Sequence, residues 1–261
     1  NPAMNLVVIP QLKILSESSD LEICDGEDAQ FIIEVDGNDV VYQWKKDGLN
    51  IPGEMAPELI INPASLADNG FYSCAVTDKC TTTERYSNSK ELTVNGLPSS
   101  QIFGRMNLCV LEDRVAYNTS LTNYRYGWLV NGGEFTTPAE GYGTKITWGD
   151  VVAGSNVKIM ITNEATGCVS EVDSLVTLHP LPEVNLTALK TRGICDSLFD
   201  LSGGFPTGGI YWVDGVAQNT FAPKEKGNGE YNVRYSYTDN LGCSNTTSEL
   251  IMKMDLVKRS N

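Results

Sequence analysis

Histidine is nearly missing from these 261 residues; the single one, His179, stands in His179-Pro180-Leu181-Pro182. Without a second His, neither a Ser-His-Asp nor a Cys-His pair can be assembled, and beside two prolines the lone imidazole reads as a spacer in a joint. Positive charge is scarce too, with 19 Lys and Arg against 33 Asp and Glu, a formal net charge of −14. That balance repels nucleic-acid phosphates and opposes electrostatic docking on anionic lipid; its ordinary use is to keep a secreted protein soluble. No apolar run approaches the ~20 residues needed to span a bilayer, so direct membrane insertion is not expected. An amphipathic helix of ten or more residues is not visible either. The seven cysteines contain no CxxC pair, which argues against a zinc ribbon. Gly203-Gly204 and Gly208-Gly209 are not followed by a helical pattern, so a phosphate cradle is not expected. No catalytic residue, metal ligand set or cofactor is expected on these grounds, with one alternative left open. Asp25-Gly26-Glu27-Asp28 and Asp36-Gly37-Asn38-Asp39 gather oxygens of the kind calcium favours, but neither has EF-hand spacing. Turn chemistry accounts for both.

What the chain has is turn residues and short β patterns. Its 24 glycines, with frequent Thr, Ser and Asn, suit many short strands joined by tight turns. The stretch Ala67–Val76, ADNGFYSCAV, organises the rest. Gly70 permits a tight corner between strands. Tyr72 then opens a strand with its ring inward and its hydroxyl turned back to the corner, and Cys74, two residues on, faces the same way. Upstream, Val40, Tyr42 and Trp44 share one face of VVYQWKK, and Phe31, Ile33 and Val35 share one face of AQFIIEV. These three segments make a B–C–F strand core that resembles an immunoglobulin-like domain with its tyrosine corner. Ile33 stands where the first core cysteine of that family is usually found.

A search for repeats finds the same unit three times. Each third has an early cysteine, a tryptophan 17 to 20 residues later and a late cysteine: Cys24, Trp44, Cys80; Cys109, Trp128, Cys168; Cys195, Trp212, Cys243. Gly229-Glu230-Tyr231-Asn232-Val233 repeats Gly70-Phe71-Tyr72-Ser73-Cys74, with Val233 in place of Cys74. Trp44, Tyr72, Trp128, Trp212 and Tyr231 are the expected core aromatics. Turn-rich punctuation at Asn95-Gly96-Leu97-Pro98 and at His179–Pro182 divides the chain into residues 1–96, 97–181 and 182–261. The joints are short, so the units should stack end to end with restricted bending. The middle unit reads as strands RVAYNTSL, YRYGWLV, KITW and VKIMITN, with Tyr124, Tyr126 and Trp128 on one core face and a hairpin signal at Asn131-Gly132-Gly133. The fold class is therefore all-β: three tandem immunoglobulin-like or PKD-like antiparallel β-sandwich domains.

Two stretches carry a narrower resemblance. Trp128…Gly132-Gly133…Trp148…Gly167-Cys168 is similar to the PKD-like domains of large Bacteroidetes surface proteins. Gly208-Gly209-Ile210-Tyr211, Phe221-Ala222-Pro223, Gly229-Glu230-Tyr231 and Gly242-Cys243 resemble the repeats of Bacteroidetes cell-surface adhesins, although Trp212 follows where a small residue is common. The resemblance implies a non-enzymatic extracellular segment of an adhesin or adhesin stalk, outer-membrane associated, of the kind met in gliding motility and type IX secretion. Its partners would be proteins or surface polysaccharides at the cell exterior. Accessory spacer domains of a secreted enzyme, or a protein-binding subunit of the secretion or motility apparatus, are the other readings. It also implies O-glycosylation at Ser174 and Ser197, which sit in Asp-Ser-Leu. The chain starts at Asn1 without initiator Met or signal peptide, and is expected to be part of a longer chain or larger surface assembly.

Cysteines spread through β domains suggest disulfides and an oxidising compartment. Counting favours one bridge per unit, Cys24–Cys80, Cys109–Cys168 and Cys195–Cys243, with Cys74 left as a buried free thiol packed like a small apolar side chain. Geometry opposes it. In an ordinary immunoglobulin topology the early and late cysteines lie at opposite ends of the sandwich, and a bridge spans only ~6 Å between Cα atoms. End-to-end stacking would then bring Cys24 towards Cys168 and Cys109 towards Cys243. The intradomain set is the expectation, because each unit would fold by itself.

Overall fold

The alternation in Ala29–Asp36 is a pure period of two at its start: Ala29, Phe31 and Ile33 are buried, while Gln30, Ile32 and Glu34 are exposed. That is what a strand covering a core on one face demands. The computed structural model describes residues 12–37, 39–79, 82, 84–150, 153–187, 192–193, 196–247 and 250–255. It is nearly all β, and it divides into two compact units. One comprises Asn1–Ser100, Leu121–Tyr126 and Met160–Glu171, the other Gln101–Ser120, Gly127–Ile159 and Val172–Asn261.

In the first unit, β1 (Lys13–Glu17), β3 (Ala29–Asp36) and β6 (Glu58–Ile61) form one sheet in the order β1-β3-β6. The facing sheet has β2 (Leu21–Cys24), β4 (Val40–Lys46), β5 (Leu49–Asn50), β7 (Gly70–Asp78) and β9 (Lys90–Asn95) in the order β2-β9-β7-β4-β5, with β8 (Glu84–Tyr86) on β7. Between them Phe31, Ile33, Trp44, Leu59, Tyr72, Cys74, Val76, Leu92 and Val94 make one buried cluster. Each large apolar side chain in it contributes about 1.5–3 kcal/mol by leaving water. β2 runs parallel to β9, with Cys24 opposite Asn95. The early cysteine thus ends an edge strand laid along the last strand of the sandwich.

The middle of the chain supplies β10 (Ile102–Phe103), β11 (Asn107–Cys109), β12 (Val115–Thr119), β13 (Arg125–Asn131), β14 (Gly133–Phe135), β15 (Gly143–Trp148), β16 (Asn156–Thr162), β17 (Val169–Leu175) and β18 (Thr177–His179). They order as β10-β12-β15-β14, β13-β16-β17 and a parallel pair β11-β18. Two expectations are corrected. Asn131-Gly132-Gly133 is not a hairpin: β13 and β14 belong to different sheets, and Gly132, at φ 87°, turns the chain from one to the other. His179 is not in a linker but closes β18, opposite Cys109. Its carbonyl accepts the Val110 N–H at 2.9 Å.

The last stretch holds β19 (Asn185–Leu186), β20 (Arg192–Gly193), β21 (Phe199–Asp200), β22 (Gly204–Phe205), β23 (Ile210–Val213), β24 (Val216–Ala217), β25 (Thr220–Phe221), a four-residue helix Pro223–Lys226, β26 (Gly229–Thr238), β27 (Ser244–Thr246) and β28 (Leu250–Asp255). The main sheet is β20-β28-β26-β23-β24, with β27 on β26. Its core is Leu201, Tyr211, Val213, Phe221, Val233, Tyr235 and Met252. Trp212 is absent from that set, which corrects the expected core list. Tyr211 and Val213 point inward, so strand alternation turns Trp212 to the other face. There its Nε1 donates to Ser236 Oγ at 2.9 Å and the Arg234 guanidinium lies 5.6 Å from the ring centroid, a cation–π arrangement.

Candidate functional site

Three strand ends share one polar device, two of them at cysteines. Cys24 closes β2 and its N–H donates to Glu27 Oε2 at 2.7 Å; Cys109 closes β11 and its N–H donates to Glu112 Oε1 at 3.0 Å. Gly193 closes β20 in the same manner, donating its N–H to Asp196 Oδ2 at 3.0 Å. In all three the edge strand runs parallel to its partner: β2 to β9, β11 to β18 and β20 to β28. A carboxylate three residues on therefore caps the strand end each time, satisfying an amide that the ladder leaves free. Glu112 feels burial, which raises its pKa, but the Arg105 guanidinium and the Cys109 amide outweigh it and hold the carboxyl below the usual range. The recurrence Cys24-x-x-Glu27 and Cys109-x-x-Glu112 was visible in the sequence. The signal is masked in the first repeat because Asp25-Gly26-Glu27-Asp28 also fits a turn or an oxygen cluster for calcium. Among the described residues, no group of three or more His, Cys, Asp or Glu is placed to hold a metal ion.

The disulfides leave these strand ends for the other repeat. Cys24 is bonded to Cys168, with Cα atoms 5.6 Å apart, and Cys109 to Cys243, at 5.5 Å. The expected pairs Cys24–Cys80, Cys109–Cys168 and Cys195–Cys243 are thus corrected wherever they involve these four residues; Cys80 and Cys195 lie outside the described residues. The reason is the one geometry raised against the intradomain set. The early cysteine sits before the strand that crosses the core, and the late one follows a tight turn. Asn163 donates its N–H to Cys168 O and Asp239 to Cys243 O, both at 2.9 Å, so each late cysteine is held in a closed turn. Both late cysteines are fully buried. On the chain-entropy account, loops of 144 and 134 residues stabilise by about 5 kcal/mol each.

Cys74 is a free, fully buried thiol in the cluster that contains Ile33 and Trp44. Burial pushes it up to about 11, so it is neither a nucleophile nor a ready redox group. Opposite it in the ladder, Trp44 is buried and its Nε1 donates to Ala56 O at 3.0 Å. Tyr72 donates its hydroxyl to Asp68 O at 2.8 Å, and its ring stacks on Phe31 with centroids 5.1 Å apart. Burial, with the Asp68 and Asp47 carboxylates, pushes this phenol to about 12. Tyr231 makes the corresponding corner, donating to Lys226 O at 2.6 Å and Gly227 O at 3.1 Å. Trp128 is buried, its Nε1 on Gly141 O at 2.9 Å.

No protein-family model matches this chain, and no curated protein does. Among solved structures, the N-terminal eight Ig domains of Down Syndrome Cell Adhesion Molecule cover 96% of this chain at 13% identity with a TM-score of 0.51. The match takes in 37% of that longer chain. The I-band fragment I67-I69 from titin covers 96% of this chain and is itself covered completely, at 13% identity and a TM-score of 0.45. The fold is that of tandem immunoglobulin-like domains. Identity this low speaks to fold alone, and the site must be judged on its own residues.

Those residues include two tyrosine locks, at Tyr235 and Tyr117. Tyr235 donates to Pro206 O and accepts the Gly209 N–H, both at 2.5 Å. A Cβ on Gly209 would lie 2.2 Å from Ser236 O, and one on Gly204 would lie 2.6 Å from the Tyr235 ring. Gly204 and Gly209, one from each Gly-Gly pair, let the backbone pass the ring. In the middle of the chain Tyr117 donates to Arg105 O at 2.8 Å and accepts the Trp148 indole N–H at 3.1 Å. Of the two Asp-Ser-Leu serines, Ser197 is exposed, whereas Ser174 is half-buried within β17. What this arrangement does chemically is hold strands together.

Proposed function

We propose that this chain is a non-enzymatic, extracellular segment of a bacterial cell-surface adhesin or adhesin stalk, built from three modules with seams near Gly96 and Leu181 and engaging proteins or surface polysaccharides. One observation carries the reading: Cys24–Cys168 and Cys109–Cys243 each join the early cysteine of one repeat to the late cysteine of the next. Bridges of this kind fit an oxidising compartment, and joining repeat to repeat serves a tandem array better than a catalytic pocket. No described helix is long and apolar enough to cross a membrane. The gliding-motility and type IX secretion context, and glycosylation at Ser197 or Ser174, come from the likeness of Gly208–Tyr211 and Gly229–Tyr231 to Bacteroidetes adhesin repeats.

Surface labelling of intact source cells with an impermeant antibody, paired with an attachment assay on a deletion strain, tests the proposal. Labelled cells and lowered attachment are expected. A chain confined to the cytosol, or a hydrolase activity lost on one point substitution, would overturn it.

A further inference from the structure

Two bridges can be nested, sequential or interleaved, and here they interleave: Cys24, Cys109, Cys168 and Cys243 alternate between one bridge and the other. The consequence is topological and needs no assumption about shape. Treat the Cys24–Cys168 bond as one knot and the Cys109–Cys243 bond as a second. Residues 24 to 109 then run from the first knot to the second, 109 to 168 run back, and 168 to 243 run across again. The three segments, of 85, 59 and 75 residues, are parallel covalent connections between the same two points. None is a bare linker. The first contains the Phe31–Trp44–Tyr72 core, the second Trp128 and Trp148, the third the Tyr211–Val233–Tyr235 core.

We propose that the chain is a cleavage-tolerant, load-sharing tether, in which tension between its ends divides among three folded paths. Two properties follow. A backbone cut in any one path, or one cut in each of two paths, leaves the ends covalently joined through the path that remains. The extension available between Cys24 and Cys243 is capped by the shortest path. Its 59 residues reach roughly 195–210 Å at ~3.3–3.6 Å per residue. With the bridges reduced, 219 residues reach roughly 720–790 Å on the same scale. One bridge per repeat would behave otherwise, since a single cut at either joint would part the chain. The usefulness of such a tether on a protease-exposed surface rests on the stalk reading above, but the connectivity does not. The two tests stay distinguishable, because the cleavage gels read the bridging itself and surface labelling reads the location whatever the bridging.

The test places a specific protease site after Gly53, after Glu140 and after Gly215, one in each path, singly and in combination. All variants carry Cys80→Ser and Cys195→Ser, so that only the two bridges count. On non-reducing gels, single and double cuts should leave one species of full mass, the triple cut should give two pieces, and reductant should release every fragment. Separation after one or two cuts without reductant overturns the proposal. Pulling the unsubstituted chain by its ends gives an independent reading if an insertion prevents folding. The oxidised chain should release no more than the length of the 59-residue path between the knots, and about 3.7-fold more after reduction; a longer oxidised release overturns it.

Discussion

The core of the first sandwich and the core around β23 and β26 are built to one plan with one residue of slip. In the first, Trp44 lies opposite Cys74, and both point inward. In the second, Val213 lies opposite Val233 and Tyr211 opposite Tyr235, all inward, while Trp212 opposes Arg234 on the outer face. A tryptophan at the expected spacing from its cysteine is therefore a core residue in one repeat and a surface residue in another. Periodicity locates the strand; the neighbours on either side of the aromatic decide which face it takes. Tyr42 and Val40 stand at alternate positions before Trp44 and belong to its face. Tyr211 and Val213 flank Trp212 directly and take the inner face from it.

The covalent part of the comparison carries the largest effect. Cys24→Ser with Cys168→Ser should lower stability by about 5 kcal/mol, and Cys109→Ser with Cys243→Ser by about the same, because loop entropy grows only slowly with length. Denaturant unfolding measures both, and a several-fold disparity would break the equivalence of the two knots. Next come the tryptophans. Trp44→Ala should cost about 3–5 kcal/mol through the cavity it leaves, and Tyr211→Ala a similar amount. Trp212→Ala should cost about 1 kcal/mol or less, the scale of a partly exposed cation–π contact; equal losses at Trp44 and Trp212 would erase the slip in face.

The third contrast is alkaline pH. Cys74 is held to about 11 from an ordinary 9.0, and Tyr72 to about 12 from 10.0. Between these values the unfolded chain has released protons that the native chain keeps, so stability falls as pH rises from about 9 to 12. Each group accounts for about 2–3 kcal/mol across its window. Cys74→Val, which installs the residue found at Val233, should remove the thiol's part of the loss between about pH 9 and 11; an unchanged pH profile would show that Cys74 is not its source. The smallest effect concerns the two corners. Tyr72→Phe, which loses the bond to Asp68 O, and Tyr231→Phe, which loses one hydroxyl proton shared between Lys226 O and Gly227 O, should each cost about 1 kcal/mol. The loss should be larger at Tyr72, whose acceptor is left in the better buried site.

Much of this was legible locally. The period of two in Phe31, Ile33 and Val35, the corner glycine Gly70 and the inward Tyr72 and Cys74 follow from short-range stereochemistry, which a strand cannot evade. The end caps at Glu27 and Glu112 were equally local, signalled by a carboxylate three residues after each cysteine. The face of Trp212 was local as well, set by Tyr211 and Val213 on either side of it; the crossing at Gly132 was not, because it depends on which sheet receives the next strand.

The sequence by itself determined an all-β chain with repeated tyrosine corners, a thiol in the first core and cysteines at matching strand ends, since each of these is set within a few residues. Only the tertiary structure decided which cysteines meet. A disulfide needs two Cα atoms about 6 Å apart, and cysteines separated by 144 and 134 residues reach that distance through the placement of whole strands, which no local pattern encodes.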